Sequence, residues 1–249
     1  MKGPKKLLVF AVTAASLLVG PHFVQAQAPV VRKYVRDPSH LTSAYQLEER
    51  ESGVLGVERR VSARPLDGFS ISLIKDFEQW RPYAYEDASS FCTIGYGHLI
   101  AKQTCARSER LFPPYAQPLS LEAGASLLEE DTILARIAVQ TLVTRQISDE
   151  QFGALVSFVF NVGVNNFRKS TLLAKINAGE FKLAPLEFRR YVKSRGKILT
   201  GLKYRRNCEA ALFSGDIPLR RTKIFRRNEC SYLGVDAESE NLVDIENGE

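Results

Sequence analysis

Apolar positions along this chain fall into three regimes. Leu7 to Gly20 (LLVFAVTAASLLVG) is an almost unbroken apolar run of fourteen residues. Residues 27–66 mix charge, Ser and Pro with no sustained period, as in RKYVRDPSHL. From Asp67 onward a regular spacing sets in. Phe69, Ile71, Leu73, Ile74 and Phe77 predict a helix ending near Glu78 or Trp80. Tyr83 to Asp87, Ala88-Ser89-Ser90 and Phe91 to Ile94 predict strand, turn and strand, closed by Gly95 and Gly97. A loop with Pro113, Pro114 and Pro118 follows over 101–119. Ser120 then caps a long helix whose Leu121, Ala125, Leu128, Ile133, Ile137 and Leu142 keep a period near 3.6. Ser148-Asp149-Glu150-Gln151 is a capping box opening an apolar helix through Phe160. Further helices are predicted at Ser170 to Asn177 before Gly179, Ala184 to Lys193, and Leu202 to Phe213 before Gly215. There is no internal repeat. The pattern predicts a small mixed lobe over 67–120, joined by the long helix to a helical lobe over 121–215. The cleft between them is the natural place for a ligand.

The two ends change the picture. Lys2, Lys5 and Lys6 precede the apolar run, Pro21 breaks it, and Val24-Gln25-Ala26 places small residues at −3 and −1 of a cleavage site. Residues 1–26 therefore read as a signal peptide. The alternative is an uncleaved anchor, although spanning a bilayer takes roughly twenty apolar residues. Residues 27–66 read as a polar tether with a short helix in SAYQLEERES, and 216–249 as a C-terminal extension ending in an acidic tail. Export places the folded part in the periplasm or outside the cell, with membrane contact only through the N-terminal signal. Cys92, Cys105, Cys208 and Cys230 are even in number and can form two bridges there. Of three possible pairings, the local ones, Cys92 with Cys105 and Cys208 with Cys230, are expected. No C-x-x-C spacing occurs and His is scarce, so a metal site is not expected.

The formal charge of +6 hides an asymmetry. Residues 1–26 hold three lysines and no acid, while 236–249 hold six acids and no base. The body between them carries +9, which suits an anionic polymer without saying which one.

The chemistry concentrates in FEQWRPYAYEDASSFCTIGYGHL, residues 77–99. With Glu78 at a helix end and Asp87 at a strand end, both carboxylates border the cleft, and Thr93 lies opposite. Two carboxylates flanking a groove are the equipment for glycosidic hydrolysis. One must be protonated, a state favoured by an apolar setting, and Phe77 and Trp80 are placed to supply it for Glu78. Asp87, beside Ser89 and Ser90, stays ionised, and Thr93 can hold the attacking water. By spacing alone, a helix-end charge and a turn residue remain the plainer reading of the pair.

The stretch resembles the signature of phage-type lysozymes, the endolysin group of glycoside hydrolase family 24. Glu78, Asp87 nine positions later and Thr93 six beyond keep the family spacing. Thr93-Ile94-Gly95-Tyr96-Gly97-His98 keeps its run, and Tyr85 also matches. Gln151 to Gly163, Phe167 to Leu173 and Gly201-Leu202-x-x-Arg205-Arg206-x-x-Glu209-x-x-Leu212-Phe213 resemble later family blocks in the same order. The resemblance covers about 67–215. It implies a two-lobed α+β fold, a small lobe with a β-hairpin sheet beside a larger helical lobe. It also implies hydrolysis of the β-1,4 bond between N-acetylmuramic acid and N-acetylglucosamine in peptidoglycan. The roles it implies are Glu78 as proton donor, Asp87 as second carboxylate and Thr93 as water orienter, in a generally inverting family. Inversion needs roughly 6.5–9.5 Å between the carboxylates. Leu99, Phe160 and Ser170 are implied sugar contacts. His98 is a structural hydrogen-bonder of the small lobe, and Arg205 is structural or groove-lining. The chain is expected to act as a monomer on peptidoglycan, without cofactor or nucleic acid.

Departures accompany the match. The usual Gly after the catalytic Glu is Gln79. No Gly stands in the turn Ala88-Ser89-Ser90. Tyr191 replaces a usual Trp, and Ser194-Arg195-Gly196 an A-G-G. Two rivals remain: a lytic transglycosylase, which needs one acid only, and an inactive peptidoglycan-binding module. Retention of Glu78, Asp87 and Thr93 weighs against both.

Overall fold

A computed structural model describes residues 62–87, 90–108, 115, 117–217, 224–232 and 241–249, together with the backbone of three earlier strand segments. The expected signal peptide lies outside the described residues. Among those described, no helix is long and apolar enough to cross a membrane.

The earlier strands are β1 (Val30–Tyr34), β2 (Tyr45–Glu48) and β3 (Arg60–Val61), an antiparallel sheet in that order. Val31 pairs with Leu47, Tyr34 with Tyr45, and Tyr45 with Val61. The strand at Tyr45–Glu48 corrects the reading of SAYQLEERES as helical there. The β-branched and aromatic residues Val30, Val31, Tyr34 and Tyr45 favour extended pairing over helix.

Helix α1 (Gly68–Glu78) starts at Asp67, whose Oδ1 accepts from the amides of Phe69 at 2.8 Å and Ser70 at 3.1 Å. It leads into β4 (Arg81–Glu86), β5 (Cys92–Gly95) and β6 (His98–Ala101), an antiparallel meander in which Tyr85 faces Thr93 and Thr93 faces Leu99. The third strand follows from Gly95 and Gly97, whose φ of 68° and 84° turn the chain back tightly. The bridge Cys92–Cys105 ties the head of β5 to the loop beyond β6.

The long connecting helix is two helices, α2 (Leu121–Asp131) and α3 (Ile133–Leu142). They break at buried Thr132, whose hydroxyl donates to the Glu129 carbonyl at 2.9 Å. Helix α4 (Asp149–Val162) begins at the expected capping box and is the axis of the core, with nine buried residues. Around it pack α5 (Val164–Lys169), α6 (Thr171–Ala178), α7 (Ala184–Arg189) and α8 (Thr200–Ser214). Phe158 sits at the centre, edge-on to Phe167, Phe188 and Tyr191 with centroids 6.4, 5.2 and 4.8 Å away. Phe69, Leu73 and Ile74 of α1 belong to this same cluster. Close approach is enforced at Gly153 of α4, where a Cβ would fall 1.8 Å from Ser70 Oγ. The helix bearing Glu78 therefore packs with the helical lobe, and only its C-terminal end meets the small sheet.

Helix α7 stops at Arg189, short of the expected Lys193, because the chain next forms the hairpin β7 (Lys193–Ser194) and β8 (Lys197–Ile198). The C-terminal residues pair with it. Val243 N–H donates to the Arg190 carbonyl at 2.7 Å, and Lys193 N–H returns to the Val243 carbonyl at 3.2 Å. Val243 is buried, Glu249 meets Arg190 at 2.7 Å, and Asp244 accepts from the Gly196 amide at 2.6 Å. That bond and one from the Glu246 amide hold Asp244 below the usual carboxylate range. Residues 241–249 are thus docked structure, although the sequence reads as an acidic tail. Residues 224–232 are integrated too. Phe225 packs on Phe69 and Phe77 at 5.7 and 6.0 Å, Arg227 pairs with Asp76 at 2.7 Å, and Cys230 bonds Cys208. The core therefore runs past residue 215.

Both expected disulfides are present. Removing the second with Cys208→Ser/Cys230→Ser frees a loop of 22 residues' separation, so a loss of about 3 kcal/mol is expected. Denaturant unfolding checks it, and an unchanged midpoint would contradict the strap formed by 224–232.

Among the described residues, three that are not glycine adopt positive φ: Gln79 (60°), Ser90 (60°) and Arg195 (51°). Each lies at a departure where the resembled family carries glycine. Gln79, at ψ 153°, occupies a region almost reserved for glycine, at a cost of about 1–3 kcal/mol. Gln79→Gly is expected to stabilise by about 1 kcal/mol after the added unfolded-state entropy. Thermal unfolding monitored by circular dichroism reads this as a rise of about 2–4 °C. A fall would show that the Gln79 side chain contributes contacts outweighing its backbone strain.

Candidate active site

Glu78 ends α1 because Gln79 cannot continue the helix; the Gln79 amide closes it on the Lys75 carbonyl at 3.1 Å. The chain then swings Trp80 inward. Its ring meets Tyr96 at a centroid distance of 5.0 Å and lies over Gly124 of α2, where a Cβ would fall 2.2 Å from the indole. Trp80 thereby locks the start of β4 against both the hairpin turn and α2.

Asp87 follows β4 and organises the turn to β5. Its Oδ1 accepts from the Phe91 amide at 2.9 Å, its own amide donates to the Phe91 carbonyl at 3.0 Å, and its carbonyl accepts from Ser90 at 2.9 Å. Thr93 is buried on β5, and its hydroxyl donates to the Phe91 carbonyl at 3.1 Å. With that proton committed, the oxygen retains only acceptor capacity.

Tyr85, paired with Thr93, reports how these groups converge. Burial pushes its phenol up, Arg81 at 4.8 Å from the ring pulls it down, and Asp87 and Glu78 both push it up again. Both carboxylates are thus within electrostatic reach of this one phenol. Gly97 of the hairpin faces Glu78, since a Cβ there would lie 3.7 Å from Glu78 Oε2.

The helical lobe supplies the counter-charge. Arg205 of α8 is buried and its Nη1 donates to Glu78 Oε1 at 2.5 Å, while the Glu78 side chain keeps 22% of its exposure. Thus one carboxylate oxygen is held by the large lobe and the other faces the small one. The partner that Glu78 meets directly is this cation, and the two rings expected to shield it have contacts of their own. Phe77 instead stacks beneath Arg205 and Arg227, 5.7 and 4.5 Å from its centroid, and Trp80 belongs to the Tyr96–Gly124 contact. Arg205 is itself pulled down by burial, and Glu78 with Glu209 more than offset this, leaving it above its ordinary value.

The remaining candidates are scattered. His98 bonds Asp131 through Nδ1 at 3.0 Å and Tyr115 through Nε2 at 3.3 Å, joining β6 to the end of α2. Leu99 is 42% exposed on β6, and Phe160 is half-buried near the end of α4. Ser170 differs from its expected role as a sugar contact. It is buried at the start of α6, where its hydroxyl donates to the Phe167 carbonyl at 2.7 Å and accepts from the Leu173 amide at 3.0 Å. Two surface hollows of about 420 and 500 Å³ lie along the α3–α4 connection and the α8 C-terminus, and contain none of Glu78, Asp87 or Thr93.

The sequence reading did not anticipate the buried polar cluster behind Arg205, formed by Ser157 and Asn161 of α4 with Arg206 and Glu209 of α8. One signal was available: Glu209 stands between Cys208 and the apolar run Ala210-Ala211-Leu212-Phe213, with Arg205 and Arg206 one helical turn before it.

Comparison with known proteins agrees with the geometry. A family model described as phage lysozyme matches residues 75–209. The endolysin of Bacillus phage B103 is 39% identical over 145 residues, covering 57% of this chain and 51% of its own length. The endolysin of Acyrthosiphon pisum secondary endosymbiont phage 1 is 32% identical over 145 residues, covering 57% and 92%. The chain thus spans about half the length of its Bacillus phage relatives. Among solved structures, the muramidase domain of SpmX from Asticaccaulis excentricus aligns over 60% of this chain and 97% of its own, with a TM-score of 0.51 and 29% identity. On the matched motifs, the α+β fold and these relatives, the chain belongs to the phage lysozyme family.

Proposed function

We propose that this protein is an exported muramidase that hydrolyses the β-1,4 bond between N-acetylmuramic acid and N-acetylglucosamine in peptidoglycan. The observation that carries this reading is the position of Glu78 at the seam of the two lobes. Arg205 fixes one oxygen, and the other faces Gly97 of the small lobe, the lobe whose β4–β5 unit also carries Asp87 and Thr93.

In the reaction, protonated Glu78 gives its proton to the glycosidic oxygen as the bond to the anomeric carbon breaks. Asp87 remains ionised and stabilises the developing positive charge on the sugar. Thr93 accepts a hydrogen from the water that attacks the opposite face, and that water loses its proton toward Asp87. This is an inverting displacement. Leu99 on β6 and Phe160 on α4 offer apolar surface to sugar rings from the two lobes, while Ser170 supports α6 from within. The basic body favours approach to an anionic wall. The N-terminal pattern and the two disulfides support an oxidising, exported setting.

Fragments released from purified peptidoglycan test the proposal. Reducing-end muropeptides, read by mass spectrometry, are expected from the wild type. Glu78→Gln should lower the rate about 10²–10⁴-fold, the contribution of a positioned general acid. Anhydro-muropeptides would make the protein a transglycosylase. A folded wild type that binds the wall and releases nothing would make it a binding module.

A further inference from the structure

We infer that Glu209, with Ser157, is a positioning residue for the proton donor, acting through Arg205. This rests on the reading of Glu78 as the acid, and adds a residue that touches neither substrate nor reacting atoms.

The donors of one guanidinium are divided between Glu78 and the interior of the helical lobe. Arg205 Nη1 goes to Glu78 Oε1 at 2.5 Å. Nε goes to Glu209 Oε1 at 3.1 Å, and Nη2 to the Ser157 carbonyl at 3.1 Å and to Ser157 Oγ at 3.4 Å. Ser157 Oγ–H in turn donates to Glu209 Oε1 at 2.6 Å. Two of the three guanidinium nitrogens are therefore anchored inside the helical lobe, and only Nη1 reaches the cleft. Because the fork is planar and rigid, fixing two corners fixes the third. The location of Glu78 Oε1 is thus set from α4 and α8, two elements that carry none of the proposed catalytic residues.

The same geometry divides charge. Arg205 is shared by two carboxylates, one fully buried in Glu209 and one partly exposed in Glu78. Behind Glu209 stands a second buried cation, Arg206, whose Nη1 meets Glu209 Oε2 at 2.9 Å. Burial pushes Arg206 down to about 10, with Glu209 countering that fall. Its Nη2 donates to Asn161, and its guanidinium lies 4.8 Å from the Phe158 centroid. Tyr191 is the further titratable group near Arg206. Around Glu78, the charged or titratable groups are Arg205 from α8, Tyr85 from β4 and Asp87 beyond it. Lys75 and Asp76 share its own helix, and Arg227 pairs with Asp76 under Phe77. Among all of these, only Glu209 competes with Glu78 for a direct bond to Arg205.

Glu209→Gln keeps the shape and an oxygen acceptor for Arg205 and Ser157 but removes the competing charge. Arg205 then has Glu78 as its one directly bonded anionic partner, so the charge of that guanidinium acts on Glu78 alone. The experiment measures kcat and KM on soluble peptidoglycan fragments from pH 4 to pH 8, with near-ultraviolet circular dichroism to confirm folding. Glu78→Gln is run alongside, so that a wrong assignment of the acid shows separately as full activity in that variant. Glu209→Gln is expected to lose about tenfold or more in kcat with KM within about twofold, a size typical of misplaced catalytic groups. The alkaline limb of its profile should move to lower pH by about half a unit or more. Ser157→Ala, which keeps every buried charge, should move kcat in the same direction by less, and it decides the matter if Glu209→Gln does not fold. A wild-type profile in the folded variant, or a fall in amplitude matched by lost folded protein with the limb unmoved, overturns the inference.

Discussion

The contact on which this structure turns is the guanidinium of Arg205 between Glu78 and Glu209. It is where the two lobes meet chemically, since Glu78 ends the helix leading to the small sheet and Glu209 lies fully buried in the large lobe. A row of four alternating charges (Glu78, Arg205, Glu209, Arg206) is a poor way to gain stability. Well-packed apolar groups of the same volume are often equal or better by about 1–4 kcal/mol. Removing a single member is another matter, costing about 3–5 kcal/mol, because its partner is left buried and uncompensated. Such a network is hard to dismantle stepwise yet unnecessary for the core, whose cohesion comes from Phe158 and its aromatic neighbours. What it supplies is direction, holding a carboxylate at the seam where packing alone would leave a free rotor.

Among the described residues beyond 215, two segments brace the helical lobe behind the same seam. Phe225 and Arg227 pack on Phe77, the ring over which Arg205 also lies. The bridge between Cys208 and Cys230 ties that segment to α8, the helix bearing Arg205 and Glu209. Residues 241–249 hold the α7–β7 corner, where Arg190 meets both Glu187 and Glu249 at 2.7 Å. The C-terminal extension thus braces the element that positions the acid.

Local signals in the sequence were faithful where one side chain decides the outcome. Asp67, Ser120 and Ser148 cap helices with their own oxygens, and Gly179 and Gly215 stop them with φ near 80°. The carboxylate spacing is likewise a local feature, because Glu78, Asp87 and Thr93 lie within one helix–strand–strand unit. Long-range packing was not legible. Nothing in Val243 or Phe225 announces a partner dozens of residues upstream, and an acidic tail reads as solvated until the groups receiving Asp244, Glu246 and Glu249 are known. The long helix read as one for a similar reason: its apolar period is continuous, and the break comes from the Thr132 hydroxyl binding back to the Glu129 carbonyl. Ser170 shows the opposite failure. Its motif position was kept, while its hydroxyl is spent inside the lobe on α6.

Two of the three strained backbone positions stand beside the two carboxylates: Gln79 directly after Glu78, and Ser90 in the turn that Asp87 organises. Each costs on the order of 1–3 kcal/mol in a protein whose whole stability is about 5–15 kcal/mol, so the surroundings must over-determine them. They do so by different means. At Gln79 the chain is held from both sides, by Glu78 on Arg205 and by Trp80 wedged over Gly124. At Ser90 the turn is closed by three hydrogen bonds involving Asp87 and followed at once by the Cys92–Cys105 bridge. Glycine would remove the strain and also the stiffness that a side chain gives these junctions. The chain keeps the geometry around its carboxylates through contacts outside the turns, so the backbone shape there is dictated by the fold and only tolerated by the residues that adopt it.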